Sequence, residues 1–282
     1  MGIDLHTHTT ASDGSFSPTE LVDLAVSQGV QALAITDHDA IEGVKEALPY
    51  AADKKITVVA GVELSIDYPL KGQAHLHLLG LFLDLSDKKL QKELDRLARA
   101  RLGRARRILE KLKDNGYPID EPALWDTANM GSIGRPHIAK MLIEKGYARD
   151  VKQSFKKYLS KGGLAYVSKE KLKIQPAIDL IHHAGGLAIL AHPISLHYKR
   201  YPRYGQEILK LKDMGLDGIE VYYPSHDRYF TRWLYDFALQ HDLAVSGGSD
   251  FHGTAKPDIK LGRGFGNLDI PWAVYEHLKK RV

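Results

Sequence analysis

The sequence predicts an α/β protein: a sheet closed, or nearly closed, into a β/α barrel and interrupted by a helical insertion. Three observations lead there. Short apolar runs alternate with helix-patterned segments through the first quarter of the chain and again through its last third. Between them, residues 84–165 lose that alternation and read as helices alone. Seven stretches bearing histidine or carboxylate lie near the ends of apolar runs, and barrels of this kind gather their sites at the carboxyl ends of strands.

The elements follow in order. Residues 2–6 form a short apolar strand that opens into a loop of small and polar residues, 7–15. Ser17-Pro18-Thr19-Glu20 is a helix start, with Ser as cap, Pro at the first helical position and Glu three residues after the cap. Leu21, Leu24 and Ala25 continue one face until Gly29. Strand 31–36, helix 40–52, strand 56–63 and strand 74–83 follow, the last apolar on both faces as a buried strand is. Residues 87–115 are a long helix, with Leu90, Leu94, Leu97, Ile108 and Leu112 at helical spacing and Asn115-Gly116 at its end. Shorter helices are expected over 136–145 and 151–159. Alternation then resumes: helix 175–183, strand 187–191, helix 204–214, strand Gly218–Tyr222, helix Arg228–Gln240, strand 243–246 and helix 272–280. The expected organisation is a discontinuous barrel, residues 1–83 and 166–282, with residues 84–165 inserted. About seven strands, mostly separated by helices, favour a parallel sheet.

Composition bounds the chemistry. At 282 residues and 44% hydrophobic content, one sizeable core is expected. The chain has no cysteine, which excludes disulfides and thiolate metal sites, so a metal must bind through nitrogen and oxygen. No apolar run approaches the roughly 18 residues of a membrane span. The first residues carry neither a cationic nor a long apolar stretch, so a cytoplasmic protein without signal peptide is expected. The net charge of +4 is uneven. Residues 84–165 hold 19 Lys/Arg against 11 Asp/Glu, a net of +8, and the remainder carries −4. An acidic body suits cations and a basic insertion suits a phosphate-rich ligand, although lysine and arginine also solvate long helices.

The seven stretches are Asp4-Leu5-His6-Thr7-His8, Thr36-Asp37-His38-Asp39, Val62-Glu63, His75-Leu76-His77, Ala191-His192-Pro193, Ile219-Glu220 and Ser249-Asp250-Phe251-His252. Neutral imidazole and carboxylate hold zinc, manganese and iron, so the recurrence predicts a multinuclear metal hydrolase. His6 and His8 stand two apart and project from one face. Asp13, in the turn Ser12-Asp13-Gly14, is close enough to fold back over them. Glu63 offers two oxygens that can bridge two cations. His75 and His77 also share a face. His192 follows a purely apolar strand, and Asp250 and His252 repeat the two-residue spacing after Gly247-Gly248. His182, His183, His241 and His277 fall on expected helices and are set aside.

In this order, the stretches around His6, His8, Asp13, His38, Glu63, His77, His192, Asp250 and His252 resemble the PHP (polymerase and histidinol phosphatase) superfamily, over the whole chain outside the insertion. The resemblance implies a distorted seven-stranded, TIM-like β/α barrel holding two to three divalent cations, manganese foremost and iron or zinc as alternatives. Carried onto this chain, the first cation takes His6, His8, Glu63 and Asp250. The second takes Glu63, His77 and His192, and the third Asp13, His38 and His252. Leu78-Leu79-Gly80 after His77 fits the family pattern, which selects His77 and leaves His75 as a satisfied neighbour. Gly134-Arg135-Pro136-His137 narrows the resemblance to the branch of 3′,5′-nucleoside bisphosphate phosphatases and 5′→3′ exoribonucleases. There the insertion covers the barrel mouth and an Arg-x-His motif contacts substrate phosphate, which casts Arg135 and His137 in that role. A guanidinium offers phosphate a planar fork. Read without the resemblance, Pro136 simply starts a helix. The segment from Ile194 to Arg200 departs from the glycine-containing loop expected of close relatives, which leaves the nucleotide preference open.

The expected reaction is hydrolysis of a phosphate monoester, foremost the 3′-phosphate of a nucleoside 3′,5′-bisphosphate, by water activated between cations. His226 or His137 is the candidate proton donor to the leaving oxygen, and Asp37 orients a ligand from behind. The alternative is a 5′→3′ exoribonuclease acting on short 5′-phosphorylated RNA, to which the arginines of the long helix are suited. Histidinol phosphatase and a non-catalytic accessory PHP module rank lower. The partner is a small phosphorylated molecule or short RNA, not a membrane, and the sequence leaves the oligomeric state open.

Overall fold

The computed structural model describes residues 2–72, 74–127 and 133–282, without the side chains of 125–127. In chain order the elements are β1 (Asp4–Thr7), α1 (Pro18–Ser27), β2 (Ala32–Ile35), α2 (Glu42–Ala51), β3 (Thr57–Asp67), β4 (Leu76–Leu81), α3 (Lys88–Asp114), α4 (Glu121–Thr127), α5 (Arg135–Glu144), α6 (Val151–Ser154), β5 (Leu172–Lys173), α7 (Ile174–His183), β6 (Leu187–Leu190), α8 (Tyr201–Asp213), β7 (Gly218–Tyr222), α9 (Arg228–Gln240), β8 (Ala244–Gly247) and α10 (Trp272–Lys279). They form two compact units, one of Met1–Glu93 with Lys171–Val282 and one of Leu94–Glu170, where 84–165 was expected as the insertion.

The first unit is built on a curled sheet in the order β1-β2-β3-β4-β6-β7-β8, with β5 beside β3. Beyond β8 the chain returns to β1: Thr7 bridges Phe251, His8 N–H donates to Phe251 O at 2.9 Å, and Asp250 N–H donates to His6 O at 2.9 Å. The sheet thus bends round until its two margins meet, which brings residues at opposite ends of the sequence to one rim. Strand residues such as Leu5, Leu33, Ile35, Leu64, Leu78 and Leu79 are fully buried. Each contributes about 1.5–3 kcal/mol by leaving water. The helix start read at Ser17 is a capping box: Ser17 Oγ accepts from Glu20 N–H and the Glu20 carboxylate accepts from Ser17 N–H.

One expectation fails. The sheet is not all parallel, because β4 runs antiparallel to both β3 and β6. The reason is the connection. Only residues 68–75 separate β3 from β4, without a helix, and a parallel return needs a crossover of a dozen residues or more. The inversion matters for the site. A histidine that belongs at the rim formed by the carboxyl ends of the parallel strands must stand at the start of β4, and His77 does, level with Ser65 of β3.

In the second unit, Ile108, Leu112, Leu124, Ile138, Leu142, Tyr158 and Leu159 form a separate apolar core. The fully buried Tyr158 ring keeps its hydroxyl satisfied by donating to Tyr147 O at 2.9 Å. The single helix expected over 151–159 divides, since α6 passes into a π-helical turn over Phe155–Leu159.

Candidate metal centre

Glu63 lies at the middle of the site because β3 carries it past the end of β2, where it bridges His38. Its carboxylate is 1% exposed, and five imidazoles surround it. Oε1 lies 2.8 Å from His77 Nδ1 and 2.8 Å from His192 Nε2. Oε2 lies 2.8 Å from His38 Nδ1, 3.3 Å from His8 Nε2 and 3.5 Å from His6 Nε2. Burial alone would raise this carboxyl, but His38, His77 and His6 hold it well below the usual range.

The β1 histidines approach from one side. His6 points Nδ1 at Glu220 Oε1, 2.9 Å away, so one ring N–H sits there and Nε2 is the nitrogen that would give up its proton to a cation. His8 Nε2 lies 3.2 Å from Asp250 Oδ1. Against the effect of burial, Glu220, Glu63 and Asp250 raise His6 well above its ordinary value, and Asp250 and Glu63 raise His8 to about 9. Gly248 permits this meeting of chain ends, since a Cβ there would stand 2.3 Å from His6 Cβ and 2.5 Å from His6 N.

Asp13 closes the adjoining side, with Oδ1 at 3.3 Å from His252 Nε2 and Oδ2 at 3.9 Å from His38 Nε2. His252 Nδ1 donates to Asp250 O at 2.8 Å, leaving Nε2 to face Asp13. Asp37 is occupied behind this loop. It accepts from Thr9 N–H at 2.8 Å, Thr9 Oγ1 at 2.7 Å and Ser12 Oγ at 2.5 Å, so it shapes the turn carrying Asp13.

His192 and Asp250 both hold positive φ, 28° and 55°. For residues other than glycine this costs about 1–3 kcal/mol and persists where the surroundings fix it. Here Glu220 Oε2 fixes His192 by accepting its N–H at 2.6 Å. Asp250 Oδ2 accepts from Tyr223 Oη at 3.0 Å and Lys256 Nζ at 2.6 Å, which turns Oδ1 toward the histidines.

Among the described residues, five groups have ligand atoms within 4.8 Å of one another: His8, Asp13, His38 and His252; His6, His8 and Asp250; His6, Glu63 and His192; His38, Glu63 and His77; and His75, His77 and His192. Cations fit this donor set. His6 Nε2, His8 Nε2 and Glu63 Oε2 are buried atoms without a well-directed hydrogen bond, and unsatisfied buried polar atoms are rare in folded proteins. Three buried carboxylates, Glu63, Glu220 and Asp250, surround His6, and Lys256 pairs with Asp250 at 2.6 Å.

The PHP domain pattern matches residues 4–236. The chain belongs to the PHP family. This PHP protein is 38% identical over 271 residues to a 5′-3′ exoribonuclease of Haemophilus influenzae, an alignment covering 95% of this chain and 94% of that one. It is 35% identical over 285 residues to a 3′,5′-nucleoside bisphosphate phosphatase of Chromobacterium violaceum, covering 99% and 97%. A solved structure from Bifidobacterium adolescentis, described as a metal-dependent phosphoesterase, superposes with a TM-score of 0.84 at 27% identity, covering 100% of this chain and 96% of that one.

All nine residues that the sequence nominated as ligands in this PHP protein enter at least one of the five groups. The histidines set aside on helices fall outside them; His182 faces Asp217 at 2.7 Å and His183 faces Asp87 at 2.9 Å. Three side chains at the centre have no assigned role in the sequence reading. Glu220 was noticed and given no role, though a carboxylate inside the apolar strand Gly218–Tyr222 had to have partners. Lys256 and Tyr223 carry no local signal. His75 was read as a satisfied neighbour, yet it joins a three-imidazole group.

His226 differs from its expected part. Nδ1 donates to Val221 O at 2.9 Å, and burial pushes the ring down to about 4, so at neutral pH Nε2 is a lone-pair acceptor and not a proton donor. In the second unit, His137 Nδ1 accepts from Gly134 N–H at 3.1 Å and so caps α5. Pro136 thus opens a helix that the His137 ring helps to cap. Arg104 Nε donates to Val167 O at 3.0 Å, and Arg135 donates to Leu159 O at 3.3 Å with its guanidinium over the Phe155 ring. The described partners of both arginines are carbonyls and a ring, not carboxylates. Burial and the neighbouring Arg135 charge lower Arg104 to about 10.

Proposed function

We propose that this metal-dependent phosphoesterase of the PHP family removes the 3′-phosphate from nucleoside 3′,5′-bisphosphates, with His6, His8, Asp13, His38, Glu63, His77, His192, Asp250 and His252 as metal ligands. The observation that carries the reading is Glu63, a buried carboxylate with five imidazoles distributed over its two oxygens. Bound divalent cations supply Lewis acidity toward the phosphoryl oxygens and make a hydroxide available near neutral pH. Glu220, Asp37 and Ser195 hold ligand tautomers and loops in place. Arg135 and Arg104 supply positive charge for phosphate. A like-charged, half-desolvated pair with no carboxylate among its described partners is one that an anion stabilises, and guanidinium grips phosphate in a fork. His226 Nε2 accepts a hydrogen bond from a substrate hydroxyl, and His137 donates one from Nε2. The C. violaceum phosphatase, similar over nearly its whole length, supports the substrate class.

The exoribonuclease reading stands beside it because the H. influenzae relative carries that name at slightly higher identity. Both cut phosphate esters of nucleotides, so substrate length separates them. Incubation with adenosine 3′,5′-bisphosphate and added manganese is expected to release inorganic phosphate. A 5′-phosphorylated, end-labelled RNA of a few nucleotides is expected to keep its length. Shortening of the RNA without phosphate release from the bisphosphate favours the second reading. Neither product, from these or other phosphate esters, sinks both.

A further inference from the structure

We propose that His75 is a further metal ligand, which gives the cation position of His77 and His192 a third imidazole. The inference rests on the metal-dependent reading above and adds a residue and a metal preference to it.

Geometry comes first. His75 and His77 are two apart at the start of β4, so their rings leave the strand on one face. Ligand atoms of His75, His77 and His192 lie within 4.8 Å of one another, and the His75 ring centroid is 5.0 Å from that of His77 and 5.5 Å from that of His192. Imidazole nitrogens bind transition metals at about 2.0–2.1 Å, so donors around one tetrahedral ion stand about 3.3–3.4 Å apart. Small ring rotations close the difference.

A second, independent feature ties His75 to His192. Ser195 clasps residue 75 from both sides: His75 N–H donates to Ser195 O at 3.1 Å and Ser195 Oγ donates to His75 O at 3.0 Å. Since that hydroxyl proton is directed at His75 O, Ser195 Oγ accepts from His192 Nδ1–H, 3.0 Å away. The His192 lone pair is thereby left on Nε2, the nitrogen that faces Glu63. One serine thus fixes the backbone of one imidazole donor and the tautomer of another. A histidine that merely solvates a strand end requires neither tie.

The third imidazole has a chemical consequence. The other rim groups, His8 with Asp13, His38 and His252, and His6 with His8 and Asp250, each include a carboxylate. The position of His77 and His192 does so too, through Glu63, but with His75 it counts three imidazoles to one carboxylate and without it two to one. Imidazole suits zinc and iron, whereas carboxylate oxygen suits manganese. His75 therefore shifts this position toward zinc, relative to the same position without it, when the two metals compete.

The test uses the whole protein stripped of metal, then equilibrated with mixed zinc and manganese against a graded zinc chelator, with retained metal counted by mass spectrometry. His75→Gln is expected to lose one zinc equivalent at a chelator level at least about tenfold lower than the wild type. His75→Asp, which still offers a donor, is expected to recover part of that retention. Replacing the zinc by cobalt gives a second readout, since loss of one imidazole changes the visible absorption. His77→Gln is the positive control. If His75→Gln matches the wild type in both retention and cobalt spectrum while His77→Gln loses the metal, the proposal is wrong and the phosphoesterase reading stands. If the wild type and His77→Gln alike retain no metal, the underlying reading itself has failed.

Discussion

Replacing Glu220 tests whether the strand beneath the site sets the chemistry above it. Glu220 is fully buried and accepts two hydrogen bonds, from His6 Nδ1 at 2.9 Å and from His192 N–H at 2.6 Å. Glu220→Ala leaves both donors unpaired in a dry interior. Each orphan costs about 1–3 kcal/mol, so a loss of about 2–6 kcal/mol in folding stability is expected. Glu220→Gln is the sharper variant. Its amide oxygen serves one donor while its NH₂ group confronts the other, which costs about 1–3 kcal/mol in stability. The His6 ring is then free to present either nitrogen, and disturbing such an outer partner lowers metal affinity about 10–100-fold. The assay pairs a urea melt of the metal-free protein with a metal titration read by mass spectrometry, and phosphate release at saturating manganese. Activity of Glu220→Gln is expected to recover in part at high manganese, because the ligands themselves remain. Wild-type affinity together with wild-type stability would refute the reasoning, since no other described side chain takes the His6 Nδ1 proton at hydrogen-bonding distance.

Three further outcomes follow from the same geometry. Gly248→Ala places a methyl 2.3 Å from His6 Cβ, so the margin of the sheet must move; destabilisation of about 3 kcal/mol or more and loss of tight metal are expected in thermal and metal-content measurements. Burial lowers His226 from 6.5 to about 4, so the unfolded chain holds the extra proton between those values. Stability from this group is complete above pH 6.5 and falls by about 3 kcal/mol as pH drops to 4, and a His226→Gln protein should lack that part of the slope in urea melts from pH 4 to 7. Arg135→Ala is expected to weaken phosphate-monoester turnover at least tenfold, chiefly through KM, and to raise Arg104 toward its ordinary value; unchanged kinetics would remove Arg135 from substrate binding.

The candidate ligands were legible in the sequence because most of them stand at or near the end of a short apolar run, and because imidazole and carboxylate in such numbers have few other uses. His6 with His8, and Asp250 with His252, also announce their shared face by spacing alone. What surrounds them was not legible, for a physical reason. Glu220 meets His6 from 214 residues away and Tyr223 meets Asp250 across 27, and no local pattern encodes such pairs. The direction of β4 was misread for a different cause. Apolar alternation is the same in either direction, so only the brevity of residues 68–75 could have disclosed the reversal. The long helix was read within a residue at each end, as 87–115 against Lys88–Asp114, because leucine spacing and Asn115-Gly116 are local signals.

The reversal of β4 is also what lets this site take more imidazole than an all-parallel sheet would. In a parallel strand the rim residue follows the apolar run, and the chain then departs into a loop whose path decides whether a second side chain returns. In β4 the rim comes first. The chain enters through residues 74–75, and the residue two before His77 is still extended enough to share its face. Antiparallel pairing with β6 then sets Leu78 opposite Leu190, so the start of β4 lies beside the turn that bears His192 and Ser195. Two histidines from the start of β4 and one from the turn after its neighbour meet there, and Ser195 ties His75 to His192. A single change of strand direction thus adds an imidazole to the end of this row of candidate ligands where His77 and His192 face Glu63 Oε1. If the cations differ in kind along this row, the asymmetry originates in the eight residues that were too few for a crossover.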